Sequence, residues 1–283
     1  MLSLSSLRAA RQSTVRSLSL ILLTLSIGAI FKVAAFWRET YIASRFGVSA
    51  DTDVYFGLQQ IPMAMVTFIL GAFGLAFTPA YARARRTEEG PCWAAGSLTL
   101  AAILGLIGSA ITMALEPLLL QAIHAQASPR AHLTLLLLSL SYGPILVAGL
   151  WVCISNAAGR TLLALTVTGL PYLIMTLSLA ALYFWPQMQS LSLPASWLAG
   201  FLLTALAGVW VLARTEPVSF AISNVSHLFR LDSFRRFLGQ LGSSVLENAG
   251  FITNQLLMVF FFGMAGSGAI SANNYAMRIG MLG

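Results

Sequence analysis

Seven apolar runs of membrane-spanning length, some of them carrying charges, constrain this chain more than any other feature. Windows of about 20 residues, enough to cross a hydrocarbon core roughly 30 Å thick, fall near Leu18–Trp37, Val54–Pro79, Ala94–Leu115, Ala131–Ile154, Leu162–Trp185, Ala195–Leu212 and Phe237–Phe262. An eighth begins near Asn274. With 58% hydrophobic and 9% charged residues and a mean hydropathy of +0.82, the chain lies outside the range of soluble globular domains, which run near a quarter charged. A lipid solvent leaves every backbone polar group to be satisfied within its own helix, so the sequence predicts an all-α polytopic membrane protein.

The arginines are distributed unevenly over the connections. Counting the N-terminal segment as the first, odd connections hold eleven (Arg8, Arg11, Arg16, Arg83, Arg85, Arg86, Arg160, Arg214, Arg230, Arg235 and Arg236) against three on the even ones, Arg38, Arg45 and Arg130. Positively charged loops stay on the cytoplasmic side, which places the N-terminus and the loops near Arg83, Arg160 and Arg230 in the cytoplasm. Topology thereby accounts for the net charge of +7, and no nucleic-acid partner is needed. The first run is too long, and lacks a small-residue cleavage site before Lys32, for a signal peptide; it reads as a retained helix. Cys92 and Cys153 fall near cytoplasmic helix ends in a reducing compartment, which argues against a disulfide.

The longest mixed-charge connection, 214–236, reads as a cytoplasmic linker between a six-helix lobe, 1–213, and the start of a second lobe, 237–283, with its first one to two helices. A weak repeat supports that division: Phe46-Gly47 followed by Tyr55 resembles Phe262-Gly263 followed by Tyr275. Paired lobes are common in secondary transporters, whose substrate sites lie between them. The segment Met277–Gly283 has no cap, basic stop or polar tail, and reads as the end of a truncated product.

Charges inside the apolar runs are the candidate site. Lys32 sits between Ile30-Phe31 and Val33-Ala34-Ala35-Phe36, where an ionised amine costs a few kcal/mol or more unless it faces a partner or a wet cavity. Glu39, seven residues on, returns to nearly the same helix face, about 10 Å away, whereas Arg38 is expected to point elsewhere, closer to the interface; Arg45 is ordinary for a membrane edge. Asp51 and Asp53 stand at the mouth of the second run, which contains Pro62, Gly71, Gly74 and Pro79 as weak points. In the seventh run Gln240, Glu247 and Asn254 recur at seven-residue intervals with Ser243 and Ser244 between. The amides suit contacts between helices, while Glu247 is the costly member and a candidate for proton or ion coupling. Arg278, three residues after Tyr275, is either an interfacial anchor or a cavity cation. His124, His132 and His227 lack metal-ligand spacing, and no nucleophile elbow or phosphate loop is present. The sequence predicts neither an enzyme nor a cofactor or metal.

In order and spacing, Lys32, Arg38-Glu39, Phe46-Gly47, Asp53, Tyr55-Phe56, Pro62, Gly71-Ala72-Phe73, Phe77-Thr78-Pro79 and Tyr275 with Arg278 resemble the MviN/MurJ family of lipid-linked precursor flippases, within the superfamily of multidrug, oligosaccharide-lipid and polysaccharide (MOP) exporters. The chain departs from the family pattern after Pro62, where Met65-Val66-Thr67 replace adjacent arginines and Leu70 replaces an acidic residue. The resemblance implies a two-lobed exporter in the bacterial cytoplasmic (inner) membrane, N-terminus inside. It would carry an undecaprenyl-diphosphate-linked saccharide, lipid II or a related cell-envelope or exopolysaccharide precursor, across by alternating access. On that reading Lys32, Arg38 and Arg278 hold the diphosphate, Glu39 orients them, and membrane lipids are the other partners. A C-terminal half or a second copy would complete the cavity. The rival reading is a truncated, non-transporting remnant or scaffold that binds lipid-linked precursor or a partner enzyme; a membrane-embedded transferase ranks last, for want of paired carboxylates or a His-Asp cluster.

Overall fold

The computed structural model describes residues 4–123, 129–184, 191–215 and 221–280, and the side chains of some residues within those ranges, Glu247 and Arg278 among them, lie outside the described set. Among the described residues, six stretches are helical, long and apolar enough to cross a membrane: Ile21–Phe46, Ala50–Ala84, Gly90–Ala114, Arg130–Ala157, Thr161–Leu182 and Ser192–Arg214. No strand occurs among the described residues. The chain is a polytopic, all-helical membrane protein.

Helix α1 (Leu4–Phe46) meets no proline and is stopped only at Gly47, whose φ of 59° is the left-handed conformation that glycine adopts at least cost. The sequence window had closed this span at Trp37. The helix continues because nothing breaks it, and Arg38, Glu39 and Arg45 consequently belong to the spanning segment itself. Ser49 then starts α2 (Ala50–Phe68): its hydroxyl accepts from the Thr52 N–H, and the Thr52 hydroxyl accepts from the Ser49 N–H at 2.9 Å. This reciprocal pair is a capping box.

The weak points anticipated in the second run act at one place. Pro62 is absorbed within α2, and a π-helical turn at Ile69–Phe73, centred on Gly71, leads into α3 (Gly74–Ala84) without ending the span. Proline also marks the next two helix junctions. After α4 (Gly90–Ala114), Pro117 lies in the first turn of α5 (Glu116–Ala122), a position where its missing N–H costs nothing. Helix α6 (Pro129–Leu140) gives way to α7 (Tyr142–Ala157) because the ring of Pro144 would clash with the carbonyl of Leu140. Neighbouring groups supply polar contacts at that break: the Ser109 hydroxyl donates to the Ser139 carbonyl at 2.6 Å, and Trp197 Nε1–H donates to Ser141 Oγ at 3.2 Å. Helices α8 (Thr161–Tyr183) and α9 (Ser192–Thr215) complete the six.

In lipid, helices gain little by hiding apolar surface from water, so close backbone approach and dispersion contacts hold them together. Gly105 of α4 lies against the backbone of Gly143 in α7 so closely that a Cβ would overlap it. Gly208 of α9 likewise receives the indole of Trp151, and Gly169 of α8 receives the ring of Phe31 from α1. Gly105→Ala is therefore expected to lower the thermal midpoint in detergent, with an overpacking cost of about 1–3 kcal/mol. Gly28→Ala, whose Cβ would meet nothing within 4 Å, should leave it unchanged, and equal midpoints for the two variants would refute the close-packing account.

The expected linker is mostly helical and docked. Residues 216–220, with Glu216 and Pro217, lie outside the described residues. Beyond them, α10 (Ile222–Arg230) packs on α4, with the Asn224 carbonyl and Leu228 so near Gly96 that only glycine fits there. Helix α11 (Asp232–Met264) begins at once, and its first turns enter the core: Phe234 and Phe237 are buried among Phe73, Phe77 and Trp93. A hydrogen-bonded chain joins the same elements. Trp93 Nε1–H donates to Ser233 Oγ at 3.0 Å, and Ser233 Oγ–H donates to Glu89 at 2.6 Å. Helix α12 (Ala269–Gly280) follows after a short glycine turn.

These contacts sort the connections into two ends. The Glu89–Ser233 bond joins the third connection to the seventh, whereas Arg130 meets Asp51 at 3.3 Å, joining the second to the fourth. The third and seventh connections therefore lie at one end and the second and fourth at the other. Cys92, at the start of α4, and Cys153, buried in α7, are both free thiols.

Candidate functional site

The best-defined polar construction in the membrane lies where the first helices meet α12. The turn 265–268, Ala-Gly-Ser-Gly, offers no carboxylate or hydroxyl that caps α12, and Gly266 and Gly268 adopt φ values of 114° and 91°. The cap comes from another helix. Asp53, in the first turn of α2 and only 7% exposed, accepts the Ser271 N–H at 2.8 Å through Oδ1 and the Gly268 N–H through Oδ2. A carboxylate held by two N–H groups at a helix N-terminus gains from charge-assisted hydrogen bonding and from the positive end of the helix dipole. Around it, the Tyr275 hydroxyl donates to the Gly47 carbonyl at 3.1 Å, the Tyr275 ring stands edge-on to Phe56 at 5.3 Å, and Gly268 lies under Val48. The turns next to the paired Phe46-Gly47 and Phe262-Gly263 segments, 47–49 and 265–268, thus meet at the end where Arg130 pairs with Asp51.

Arg38 departs from its expected place. It is buried rather than interfacial because its position on α1 is the face that packs on α8, together with Phe31 and Ile42. Its Nε donates to Glu39 Oε1 at 3.0 Å, and Nη2 forms an ion pair with the same oxygen. The guanidinium also lies 5.4 Å from the centre of the Tyr172 ring and 3.2 Å from Met175 Sδ. Burying this pair costs desolvation, which the carboxylate contact, the ring face and the thioether offset. Arg45 is exposed on the same helix, over Tyr41 at 5.9 Å.

Lys32 lies two turns before Glu39 on the uninterrupted α1, near the middle of its span, and is exposed, facing away from α8. Glu247 falls mid-way along α11 and Arg278 in the last turn of α12; both side chains lie outside the described residues. Gln240 and Asn254 of the α11 stripe are exposed. His124 is outside the described residues, and His132 pairs with Glu116 at 2.7 Å, joining α6 to α5. Among the described residues no group of His, Cys, Asp or Glu is arranged to hold a metal ion. The structure therefore places Lys32, Arg38 and Glu39 on one helix and brings Asp53, Gly47, Phe56 and Tyr275 together. Asp53 was noticed in the sequence as part of an ordered series but given no role there. The signal that could have found it is the capless glycine turn before Ala269, which demands an acceptor from elsewhere.

Three solved structures share this architecture. The lipid II flippase MurJ in an inward closed conformation superposes with a TM-score of 0.72 at 20% identity, over 92% of this chain and 55% of that one. A MOP superfamily transporter from Pyrococcus furiosus, described as having a binding pocket of reverse polarity, gives 0.65 at 17% identity, over 92% and 57%. An inward-facing multidrug resistance MATE family transporter of the MOP superfamily gives 0.63 at 18%, over 92% and 61%. No family model matches the chain, and no curated protein matches it in sequence. The chain spans a little over half the length of these transporters, a coverage consistent with their N-terminal half. This polytopic helical membrane protein thus has the fold seen in the matching part of these three structures.

Proposed function

We propose that this chain is part of a flippase-type transporter that moves a polyprenyl-diphosphate-linked saccharide across the bacterial cytoplasmic membrane by alternating access, with its N-terminus inside. The observation that carries the reading is the carboxylate of Asp53 capping α12: a contact between α2 of the first lobe and the second helix of the other. In the proposed cycle that contact is the outer gate in its closed state. Closure at one end is what an exporter needs while its substrate enters from the other.

Lys32 and Arg278 are assigned to the diphosphate, for which cations forming charge-assisted hydrogen bonds are the appropriate partners. Arg38 is held by Glu39 in this conformation, which supports the orienting role given to the carboxylate. Glu247 remains the candidate for proton or ion coupling, and no cofactor is assigned. The first lobe of this transporter is 1–213, the linker 214–236, docked on α4 through α10, and the second lobe begins with 237–283.

Purified chain in lipid nanodiscs should bind undecaprenyl diphosphate, and Lys32→Ala should weaken binding by about tenfold, as expected for one charged hydrogen bond of roughly 1.5 kcal/mol. Equal affinity in both proteins would remove Lys32 from the site. Binding by the wild-type chain without movement of a fluorescent analogue in proteoliposomes would favour the scaffold reading.

A further inference from the structure

A second polar concavity lies at the opposite end from the Asp53 gate. Its volume is about 810 Å³, and it is walled by the α3–α4 connection, with Arg85, Arg86 and Glu88, and by the α7–α8 turn at Ala157–Gly159. The two walls have local causes. Gly90 lets α4 begin directly against the end of α3, since a Cβ there would stand 3.0 Å from the Cα of Arg85. Gly159, at φ 72°, ends α7 by turning the chain so that its N–H meets the Asn156 carbonyl at 3.0 Å, and it faces open space, with nothing within 4 Å of a built Cβ.

We propose that this concavity binds a phosphate-bearing anion, separate from the transported substrate. Arg85 and Arg86 supply guanidinium forks suited to phosphate oxygens. Two guanidinium groups on one wall of a concavity attract such a ligand. The volume falls within the range of small-molecule sites, and the open Gly159 turn lets a ligand approach the backbone. Glu88 is the one carboxylate of the lining and opposes an anion; Glu89, its neighbour, is turned away onto Ser233. The end of the molecule that carries the excess of arginines is where anionic lipid headgroups and soluble phosphate compounds would both be met.

The test uses the whole chain with two probes, phosphatidylglycerol retained in native mass spectrometry and inorganic pyrophosphate in calorimetric titration. Arg85→Gln with Arg86→Gln should reduce binding of the favoured probe about tenfold or more, while retention of zwitterionic phosphatidylethanolamine stays constant. Loss confined to phosphatidylglycerol identifies a lipid headgroup, and loss confined to pyrophosphate identifies a soluble ligand. Glu88→Gln should tighten binding of the same probe, and it decides the matter if the double variant does not fold. Anion binding that ignores both the arginine pair and Glu88 overturns the proposal, and neither result bears on Lys32.

Discussion

Replacing Asp53 by alanine is expected to release the first turn of α12 from the rest of the molecule. The substitution leaves the N–H groups of Gly268 and Ser271 without their acceptor in a buried setting. Each charge-assisted bond is worth roughly 1.5–3 kcal/mol and the dipole contact adds up to about 2, but water entering the opened turn recovers part of this. A net loss of about 2–4 kcal/mol corresponds to roughly 30-fold or more in the docking equilibrium, and hydrogen exchange at residues 268–272 should accelerate accordingly. Asp53→Asn should lie between, because its one amide oxygen can accept from only one of the two N–H groups and its amino group faces the other. Asp51→Asn, whose partner Arg130 is exposed, should change exchange little, as expected for a surface pair. Unchanged protection in Asp53→Ala would mean that the apolar contacts of Tyr275 and Phe56 hold α12 without the cap.

The second large effect is expected at the buried pair on α1. Glu39→Gln removes the negative partner while Arg38 remains enclosed by Tyr172 and Met175, and an uncompensated buried charge costs roughly 3–5 kcal/mol. The thermal midpoint in detergent should fall by several degrees. Arg38→Met combined with Glu39→Gln removes both charges and places an apolar chain beside Met175, so the double variant should be more stable than Glu39→Gln alone. A double variant at least as unstable as the sum of its parts would mean that the two charges act independently.

Much of the architecture was legible because the membrane imposes a strict length and composition on every crossing. All six spans among the described residues fall on apolar windows. The first window ended too early because hydropathy registers charges as boundaries, whereas α1 carries Arg38 and Glu39 into its span as a mutually neutralising pair. The connection at 214–236 reads as a tether from its mixed charges, yet Leu228 of α10 and Phe234 of α11 are buried, and Phe237, one turn beyond Phe234, is buried beside them. The contact of Asp53 with α12 was the least legible part. Asp53 and α12 are more than 200 residues apart in the chain, and only the turn geometry at 265–268 reveals that one helix lacks a local cap. Lys32, by contrast, was conspicuous in sequence, and the structure leaves it exposed.

The most direct test of gated export is a distance measured across the proposed outer gate. Spin labels at Ser44→Cys and Ser267→Cys, both at exposed positions, would be placed in a Cys92→Ser background and measured by double electron–electron resonance with and without undecaprenyl diphosphate. The account predicts one short distance in the unliganded chain, a second and longer population with ligand, and dominance of the longer population in Asp53→Ala. A single unchanged distance in all three samples would contradict it.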